Sequence, residues 1–295
     1  MSSFSASTTG NEVVDLFADR VKGKTVVITG PSASSLGAET AKTLARGHPA
    51  KIALLGRTAN KIEPVIDEIK RIDSNINAFF VPIELNSFNS VREAAAMVGK
   101  KVDKIDYLIN NAGIMAPKDH SLSEDGIESQ FAVNHLSHFL LTSLLLSKIL
   151  VAGEGSRIVN VSSDGYKISP VRFDDYNFDE GYERWTAYGQ AKTAQILFAR
   201  RLASKLRPHG VQTYAIHPGV IYNTGLAAGM GMDESIQEGI STCLVALLDP
   251  ALADRTGSYL EDCNVLDVMD HAEGNDNEDK LWALSEGLTG QAFNV

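Results

Sequence analysis

Cysteine is scarce in this chain of 295 residues: Cys243 and Cys263 are the two it contains. Two thiols are too few for a disulfide-stabilised scaffold, so a reducing compartment, and a cytoplasmic location, is expected. Basic residues are also few, since 27 Lys and Arg stand against 37 Asp and Glu and give a net charge of −10. This acidity argues against nucleic acid or an anionic membrane surface as the main partner.

Long uninterrupted apolar runs are missing as well. The longest, over Phe131–Val151, is broken by two histidines, a lysine and Asn134, so it predicts a buried core helix and not a membrane span. Residues Met1–Gly10 are rich in Ser and Thr and have no basic segment followed by an apolar one. We therefore expect neither a secretory signal nor an N-terminal membrane anchor.

Short β-branched runs alternate with helical segments along most of the chain, and the hydrophobic content of 44% is that of a globular protein. The predicted strands are Lys24–Gly30, Lys51–Leu55, Ala78–Ile83, Ile105–Asn110, Arg157–Val161 and Val211–Ile216; the predicted helices are Leu36–Arg46, Thr58–Arg71, Ser87–Gly99, Ile127–Val151 and Arg184–Leu206. Strands that are apolar nearly throughout indicate a sheet covered on both faces. Strict alternation implies right-handed crossovers, so the predicted fold is α/β: a Rossmann-type doubly wound parallel sheet with helices on both faces, in a single domain.

The loop after the first strand has features of a nucleotide-binding turn. Thr29–Gly37 (TGPSASSLG) leads into a helix, whose N-terminus favours an anion, at the edge where doubly wound sheets bind ligands. Gly30 and Gly37 are present, but Ser34 and Ser35 stand where a further glycine is expected. Serine hydroxyls can replace some backbone contacts. Taken alone, the loop is also compatible with a plain strand–turn–helix connection.

The second strand ends without the carboxylate that accepts hydrogen bonds from an adenosine ribose. Arg57 follows it, and an arginine there suits a charge-assisted pair with a 2′-phosphate. The alternative is a solvated arginine at a helix start. In this context we favour NADP(H), with NAD(H) as the other option.

Tyr188 and Lys192 lie four residues apart in the helix Arg184–Leu206 and therefore share one face. Acid–base work near neutrality needs the tyrosine pKa, ordinarily about 10, to fall. A lysine cation and an oxidised nicotinamide nearby would both lower it. A surface Tyr–Lys pair without chemistry is the alternative.

Other polar residues follow strands at the same edge of the sheet. Ser162 and Ser163 follow the fifth strand, and Asn110–Gly113 follow the fourth. A serine hydroxyl there could hydrogen-bond a substrate carbonyl, although turn serines are common. Asn134 lies inside an apolar helix, where its amide needs a kinked backbone or a water as partner.

These motifs agree in type, order and spacing with one family. The chain resembles the short-chain dehydrogenase/reductase family, and within it the retinol-dehydrogenase-like branch. The resemblance rests on Thr29–Gly37, Asn110–Gly113, Phe131–Thr142, Arg157–Ser163, Tyr188–Lys192, His217–Val220 and Thr256–Cys263. It implies an NAD(P)-binding oxidoreductase domain over residues 24–266, an N-terminal extension over 1–23, and a C-terminal extension over 267–295 that packs on or near the same domain.

The resemblance also implies roles for single residues. The catalytic residues would be Asn134, Ser163, Tyr188 and Lys192. The cofactor contacts would be Gly30, Ser32, Ser34, Ser35, Leu36, Gly37, Arg57, Glu84, Leu85, Asn111, Ala112, Gly113, Tyr188, Lys192, Pro218, Gly219, Val220, Ile221 and Thr224. No metal site is implied.

The implied activity is NADP(H)-dependent interconversion of a small-molecule ketone or aldehyde and an alcohol by hydride transfer. Tyr188 would act as acid and base, Ser163 would orient the oxygen, Lys192 would lower the tyrosine pKa and hold the ribose, and Asn134 would support a water relay. The alternative is a non-catalytic NADP(H)-binding sensor or scaffold. A nucleotide-binding methyltransferase is disfavoured by the Tyr–Lys pair. The two long helices resemble those that form homodimers in this family, although some relatives are monomers.

Three departures from the family pattern stand out. The glycine loop is one residue longer than the common form, and Ser35 takes the place of the middle glycine. Glu84 stands where the family usually has aspartate. The absence of an N-terminal apolar anchor means that a retinoid substrate is not implied.

Four further features carry lesser expectations. His135 and His138 are predicted to be packed or hydrogen-bonded and not zinc ligands. Aromatic residues within Tyr166–Tyr182 either shape the substrate pocket or pack against the sheet edge. The Gly-rich stretch Ala227–Met232 is predicted to be a lid, and the acidic stretch Asp262–Asp279 a solvated surface.

Overall fold

A computed structural model of the chain describes residues 4–219 and 235–295. Its strands are β1 (Thr25–Thr29), β2 (Lys51–Gly56), β3 (Asn77–Pro82), β4 (Tyr107–Asn110), β5 (Arg157–Val161), β6 (Gln212–Ile216), β7 (Tyr259–Glu261) and β8 (Asn264–Leu266). They form one sheet in the order β3-β2-β1-β4-β5-β6-β7-β8. Neighbouring strands are parallel except for the β7–β8 pair. The predicted Rossmann-type doubly wound fold is therefore confirmed.

Helices connect the strands and cover both faces of the sheet. They are α1 (Gly10–Leu16), α2 (Ala18–Val21), α3 (Leu36–Ala45), α4 (Glu63–Ile72), α5 (Phe88–Lys101), α6 (Ser129–Phe131), α7 (Ser137–Ala152), α8 (Arg184–Leu206), α9 (Ile236–Leu248) and α10 (Asn275–Thr289). A π-helical turn, Ala132–Leu136, joins α6 to α7, and a 3₁₀ turn, Asp164–Ile168, follows β5.

Alternate residues of strands β1 to β5 enter two different cores, as the period of two in a β-strand requires. In β1, Val27 belongs to the core beneath α5, α7, α8 and α10. Val26 and Ile28 belong to the core beneath α1, α3, α4 and α9. Because both faces are covered, the strand is buried throughout, which explains its unbroken apolar sequence.

The observed bounds stay close to the predicted ones wherever pattern alone decides them. The strand Arg157–Val161 and the helix Arg184–Leu206 have the predicted bounds. The predicted helix Thr58–Arg71 is instead a 3₁₀ turn, Ala59–Lys61, followed by α4. Proline in the first turn of α4 explains the break, since its ring fits a helix start but not a helix interior.

The stretch Ser129–Ala152 is long and apolar enough to cross a membrane by length and composition, with a mean hydropathy of 1.5. However, 61% of that window is buried inside the fold. Phe139 and Leu140 in its centre are fully enclosed by the core beneath α5 and α8. The segment is a helix buried in the core against the sheet, as its interrupted apolar pattern predicted.

The order of the strands also fixes where a ligand can bind. From β1 the chain proceeds outward to β2 and β3, then crosses back to β4 on the other side of β1. The loops after β1 and β4 therefore diverge, and a crevice opens between them at the carboxyl edge of the sheet.

Candidate active site

A cleft of about 1040 Å³ occupies this crevice. Sixteen of the predicted site residues line it: Gly30, Ser32, Ser34, Ser35, Leu36, Arg57, Glu84, Leu85, Asn111, Ala112, Gly113, Ser163, Tyr188, Lys192, Pro218 and Gly219. Gly37 and Asn134 do not line it; both lie behind its wall. Val220, Ile221 and Thr224, and the predicted lid Ala227–Met232, fall outside the described residues.

The loop after β1 is built around serine where a glycine was expected. Ser34 adopts a φ of 64°, in the left-handed region that glycine normally occupies. Ser35 is the N-cap of α3: its hydroxyl accepts the N–H of Ala38 at 3.1 Å and donates to the Gly30 carbonyl at 3.0 Å. The extra residue and the missing glycine thus produce a capped helix start that opens on the cleft.

Two glycines in this region allow close approach of the β1 and β4 loops. A Cβ on Gly37 would lie 2.6 Å from Asn111 Nδ2 and 2.9 Å from the Gly30 carbonyl oxygen. A Cβ on Gly30 would lie 2.9 Å from the Ala112 Cα, and Gly30 also has a φ of 72°. Gly37 therefore allows the two loops to pack closely, and its predicted contact with the cofactor stays a prediction.

Two cations stand at the β2 end of the cleft. Arg57 and Lys61 both line it and both are exposed. Neither makes an ion pair within residues 4–219 and 235–295, so both charges are available to an anion. Lys61 was missed by sequence reasoning, although its place one helical turn after Arg57 was a usable signal. Across the cleft, Glu84 Oε1 accepts the N–H of Asn86 at 3.1 Å.

Tyr188 is buried at the β5 end of the cleft. Burial raises the pKa of its phenol, and a hydrogen bond with the Ser163 side chain acts in the opposite direction. Ser163 Oγ also accepts the N–H of Gly165 at 3.1 Å. A Cβ on Gly165 would lie 2.6 Å from Tyr188 Cε1, so a glycine there makes room for the phenol ring.

Lys192 lies beside this phenol, with its Nζ 5.5 Å from the Tyr188 ring centroid. The ammonium donates to the Val161 carbonyl and to Gln195 Oε1, each at 2.9 Å. Burial lowers the pKa of Lys192 to about 7. The expected lowering of the Tyr188 pKa by Lys192 together with oxidised nicotinamide stays a prediction, because burial dominates at Tyr188 in this structure.

The predicted helix over Ile127–Val151 is confirmed from Ser129 onward, and it contains a π-helical turn that the sequence did not predict. Helix begins at Ser129, passes through the π-turn, and continues as α7 to Ala152. Asn134 lies in this π-turn; its Oδ1 accepts the N–H of Ile114 at 2.8 Å and its Nδ2 donates to the Ile114 carbonyl at 3.0 Å. The Asn134 amide thus links the π-turn to the loop after β4 by hydrogen bonds. Of the two partners expected from the sequence, backbone or water, the structure shows the backbone. Single π-turns in α-helices often occur at functional sites.

His138 links the same turn to β1. Thr29 Oγ1 accepts the N–H groups of Asn111 and Ala112, each at 3.0 Å, so its own proton must go to His138 Nε2 at 2.9 Å. The other ring nitrogen, Nδ1, donates to the Asn134 carbonyl at 3.0 Å. This network assigns a neutral imidazole, and burial lowers the pKa of His138 to about 4.

His135 is also a buried, hydrogen-bonded residue, since its Nε2 meets Ser285 Oγ at 2.8 Å. No group of three or more His, Cys, Asp or Glu suited to a metal occurs in the described part of the chain. The aromatic residues of Tyr166–Tyr182 do not line the cleft: Phe173 and Tyr176 pack against the core beneath α5 and α8.

The sheet order and the position of the cleft are those of a Rossmann-type fold with a ligand site at its topological switch point, and comparison with known proteins identifies the family. The short chain dehydrogenase family model matches residues 24–235, and the chain belongs to that family. It is an oxidoreductase of alcohol and carbonyl groups.

Its relatives place it in the retinol-dehydrogenase-like branch. It is 35% identical over 281 residues to retinol dehydrogenase 12 of Mus musculus, which covers 92% of this chain and 88% of that protein. It is 36% identical over 290 residues to retinol dehydrogenase 13 of Homo sapiens, covering 92% of this chain and 86% of that protein. A chloroplastic short-chain dehydrogenase, TIC 32 A of Brassica napus, is 35% identical over 285 residues, covering 90% of this chain and 88% of that protein.

Solved structures share the fold. A protein from Mycobacterium paratuberculosis aligns with a TM-score of 0.75 and 32% identity, over 93% of this chain and 96% of that one. An NADPH-bound carbonyl reductase from chicken fatty liver aligns with a TM-score of 0.65 and 23% identity, over 84% of this chain and 100% of that one. At that identity the second likeness concerns the fold alone.

Proposed function

We propose that this protein reduces ketones or aldehydes with NADPH and catalyses the reverse oxidation of the alcohol with NADP⁺. Tyr188 is the proposed acid and base. The observation that carries the proposal is the arrangement at the β5 end of the cleft. Ser163, Tyr188 and Lys192 all line it there, and the glycine loop and two exposed cations, Arg57 and Lys61, line its other end. One cleft therefore holds both an anion-binding end and a proton-donating end.

The residues present fit a dinucleotide. The cleft of about 1040 Å³ is slightly larger than the range of about 300–1,000 Å³ that is typical of small-molecule sites, as an extended ligand such as a dinucleotide requires. The N-terminus of α3 and the hydroxyls of Ser32 and Ser34 would hold the pyrophosphate. Gly113 and Lys192 would lie against the nicotinamide side of the molecule.

The preference for NADP(H) rests on charge. A 2′-phosphate beside the β2 end would meet Arg57 and Lys61, both exposed and lining the cleft. No carboxylate follows β2 to favour an unmodified ribose. The nearest acidic lining residue, Glu84, follows β3.

When bound, the nicotinamide supplies or accepts the hydride. The Tyr188 phenol donates its proton to the carbonyl oxygen in reduction and recovers it in oxidation. Since Ser163 Oγ accepts the Gly165 N–H, its own proton can be donated to the same oxygen. Burial raises the pKa of Tyr188, so the phenol is protonated at neutral pH, which is the form that reduction needs. Bound oxidised nicotinamide and Lys192 would lower this pKa for the reverse reaction.

Substitution of Tyr188 tests the proposal. We expect Tyr188→Phe to bind NADPH, measured by the change in cofactor fluorescence, and to lose about 10²-fold to 10⁴-fold in turnover. The substrate panel should contain ketones, aldehydes and retinal, the last because of the relatives' names. Tyr214→Phe is the matched control, since this buried phenol bonds the Leu252 carbonyl on the other face of the sheet.

Two results would contradict the proposal. Near-normal turnover by Tyr188→Phe would remove the acid–base role. NADPH binding by the unaltered chain without turnover on the whole panel would favour the non-catalytic sensor instead.

A further inference from the structure

The hydrogen bonding of Lys192 is more specific than its role in the proposed function requires. Its ammonium has three N–H donors. One donates to the Val161 carbonyl and a second to Gln195 Oε1, each at 2.9 Å. Lys192 itself lines the cleft, and its Nζ is 3.8 Å from where a Cβ on Gly113 would lie. Two protein acceptors therefore leave the third donor for the cleft.

Gln195 is not explained by packing. It lies three residues after Lys192 on α8 and is 1% exposed. Because an ammonium only donates, the amide oxygen must face Nζ, and the amide nitrogen must face away. That nitrogen, Nε2, has no hydrogen-bond partner within residues 4–219 and 235–295. A buried amide with an unpaired N–H₂ group destabilises a fold, and an apolar side chain there would avoid this.

We propose that Gln195 is a positioning residue for Lys192: its amide oxygen fixes the ammonium, keeps it charged, and directs its remaining N–H towards the cleft. This inference rests on the proposed function, in which Lys192 acts on the nicotinamide ribose. Gln195 adds no charge of its own. A carboxylate in its place would neutralise the lysine that faces the anionic cofactor.

The other titratable groups around Lys192 do not change their charge in the pH range in which Lys192 titrates. They are Tyr188 on the same helix, His138 on α7, and His217 after β6. Burial lowers the pKa of both histidines to about 4 and raises the pKa of Tyr188. All three are neutral near pH 7, where Lys192 titrates. A change in the Lys192 midpoint therefore reports on its hydrogen-bond acceptors.

The test is the titration of Lys192 in the whole chain by NMR of ¹³Cε-labelled lysine, with the resonance assigned by its loss in Lys192→Met. We expect Gln195→Met, which keeps the length but removes the acceptor, to lower the midpoint by up to about one pH unit. We expect Gln195→Glu to raise it by about one unit or more. If Gln195→Met does not fold, the nearly isosteric Gln195→Glu still gives the upward shift.

Gln190→Met is the matched control. This residue is buried on the same helix, and its amide bonds the Arg172 N–H and the Tyr176 carbonyl instead of Lys192. Its replacement should lower thermal stability and leave the Lys192 midpoint unchanged. The proposal is overturned if both Gln195 variants titrate like the unaltered chain, or if Gln190→Met shifts the midpoint equally.

Kinetics supply a second readout. A midpoint lowered by one unit, from about 7 to about 6, reduces the charged fraction of Lys192 at pH 8 about ten-fold, and kcat should fall with it. The NMR titration needs no turnover. A chain without reductase activity would therefore refute the proposed function and still decide the role of Gln195.

Discussion

The proposed preference for NADP(H) rests on two side chains. Arg57 and Lys61 line the β2 end of the cleft and are exposed, so a 2′-phosphate there would be attracted by both charges. We expect Arg57→Ala and Lys61→Ala each to raise the KM for NADPH about ten-fold or more, because a hydrogen bond to a charged group contributes about 1.5–3 kcal/mol. The KM for NADH should change little.

The check is a comparison of both cofactors in each variant, with Lys70→Ala on the exposed side of α4 as control. Equal weakening towards NADPH and NADH, or faster turnover of the unaltered chain with NADH, would refute the phosphate role.

At the scale of the element, the loop between β1 and α3 has a strained residue that glycine would relieve. Ser34 has a φ of 64°, which costs an L-residue other than glycine roughly 1–2 kcal/mol. We expect Ser34→Gly to be more stable than Ser34→Ala by about 1 kcal/mol in urea unfolding. Both variants lack the hydroxyl, so both should weaken NADPH binding to the same extent.

A Ser34→Ala variant at least as stable as Ser34→Gly would show that the turn relaxes to a different conformation. Stronger NADPH binding by either variant would show that the hydroxyl is not a cofactor contact.

The sequence could predict the elements in which apolar residues repeat with the period of a strand or a helix. The first six strands and the helix Arg184–Leu206 follow from apolar runs and their spacing, because burial of one or both faces of an element dictates its apolar pattern. The π-turn around Asn134 could not be predicted, since it depends on a hydrogen bond to Ile114, twenty residues away. The φ of Ser34 was hidden for a similar reason: tertiary contacts of the loop decide it.

The candidate site divides in the same way. The family motifs pointed to sixteen of the lining residues. Lys61 belongs to no motif, although its spacing from Arg57 was a signal, and Gln195 emerges only from its hydrogen bond to Lys192.

The whole molecule is expected to be acid-labile. Burial lowers the pKa of His135 to about 3 and those of His138 and His217 to about 4, from an unfolded value near 6.5. The unfolded chain therefore binds protons that the folded chain excludes as pH falls from 6.5 towards 4. Each histidine lowers the free energy of unfolding by about 1.4 kcal/mol per pH unit in that window, and none of this loss occurs above it.

Urea unfolding at pH 7, 6 and 5 measures this slope. His135→Phe, in a pocket formed by Phe131, Phe139 and Phe198, should reduce it by about one proton. His209→Gln, at an exposed histidine, should leave the slope of the unfolding free energy against pH unchanged. A slope that is the same in His135→Phe would mean that this imidazole is already protonated in the fold.

The C-terminal helix α10 packs against the same hydrophobic core as α7 and α8. Trp282 on α10 packs its ring against Phe139, Phe198 and Phe293 at centroid distances of 5.3, 6.0 and 4.8 Å. The acidic stretch Asp262–Asp279 is not solvated throughout, since Glu278 is buried and pairs with Arg200 Nε at 3.0 Å. In this chain α10 packs on α7 and α8, the two helices that the family resemblance linked to dimers.

We expect Trp282→Ala to lose about 3–5 kcal/mol of unfolding free energy, because it opens a large cavity in this aromatic cluster. Loosening α10 should also expose Phe139 and Phe198 and promote self-association, seen by sedimentation. Lys280→Ala, on the exposed side of α10, is the control. Unchanged stability, or a stable dimer of the unaltered chain through α7 and α8, would contradict this account.

The buried hydrogen bond between Thr29 and His138 affects how a ligand binds in the cleft. The Asn111 and Ala112 amides are already bonded to Thr29 Oγ1, and the hydroxyl is itself fixed by the imidazole. This part of the cleft wall is preorganised, so binding need not sacrifice conformational entropy there. In hydrogen-exchange measurements these two amides should be protected as long as the central strands, and occupancy of the cleft should slow them no further.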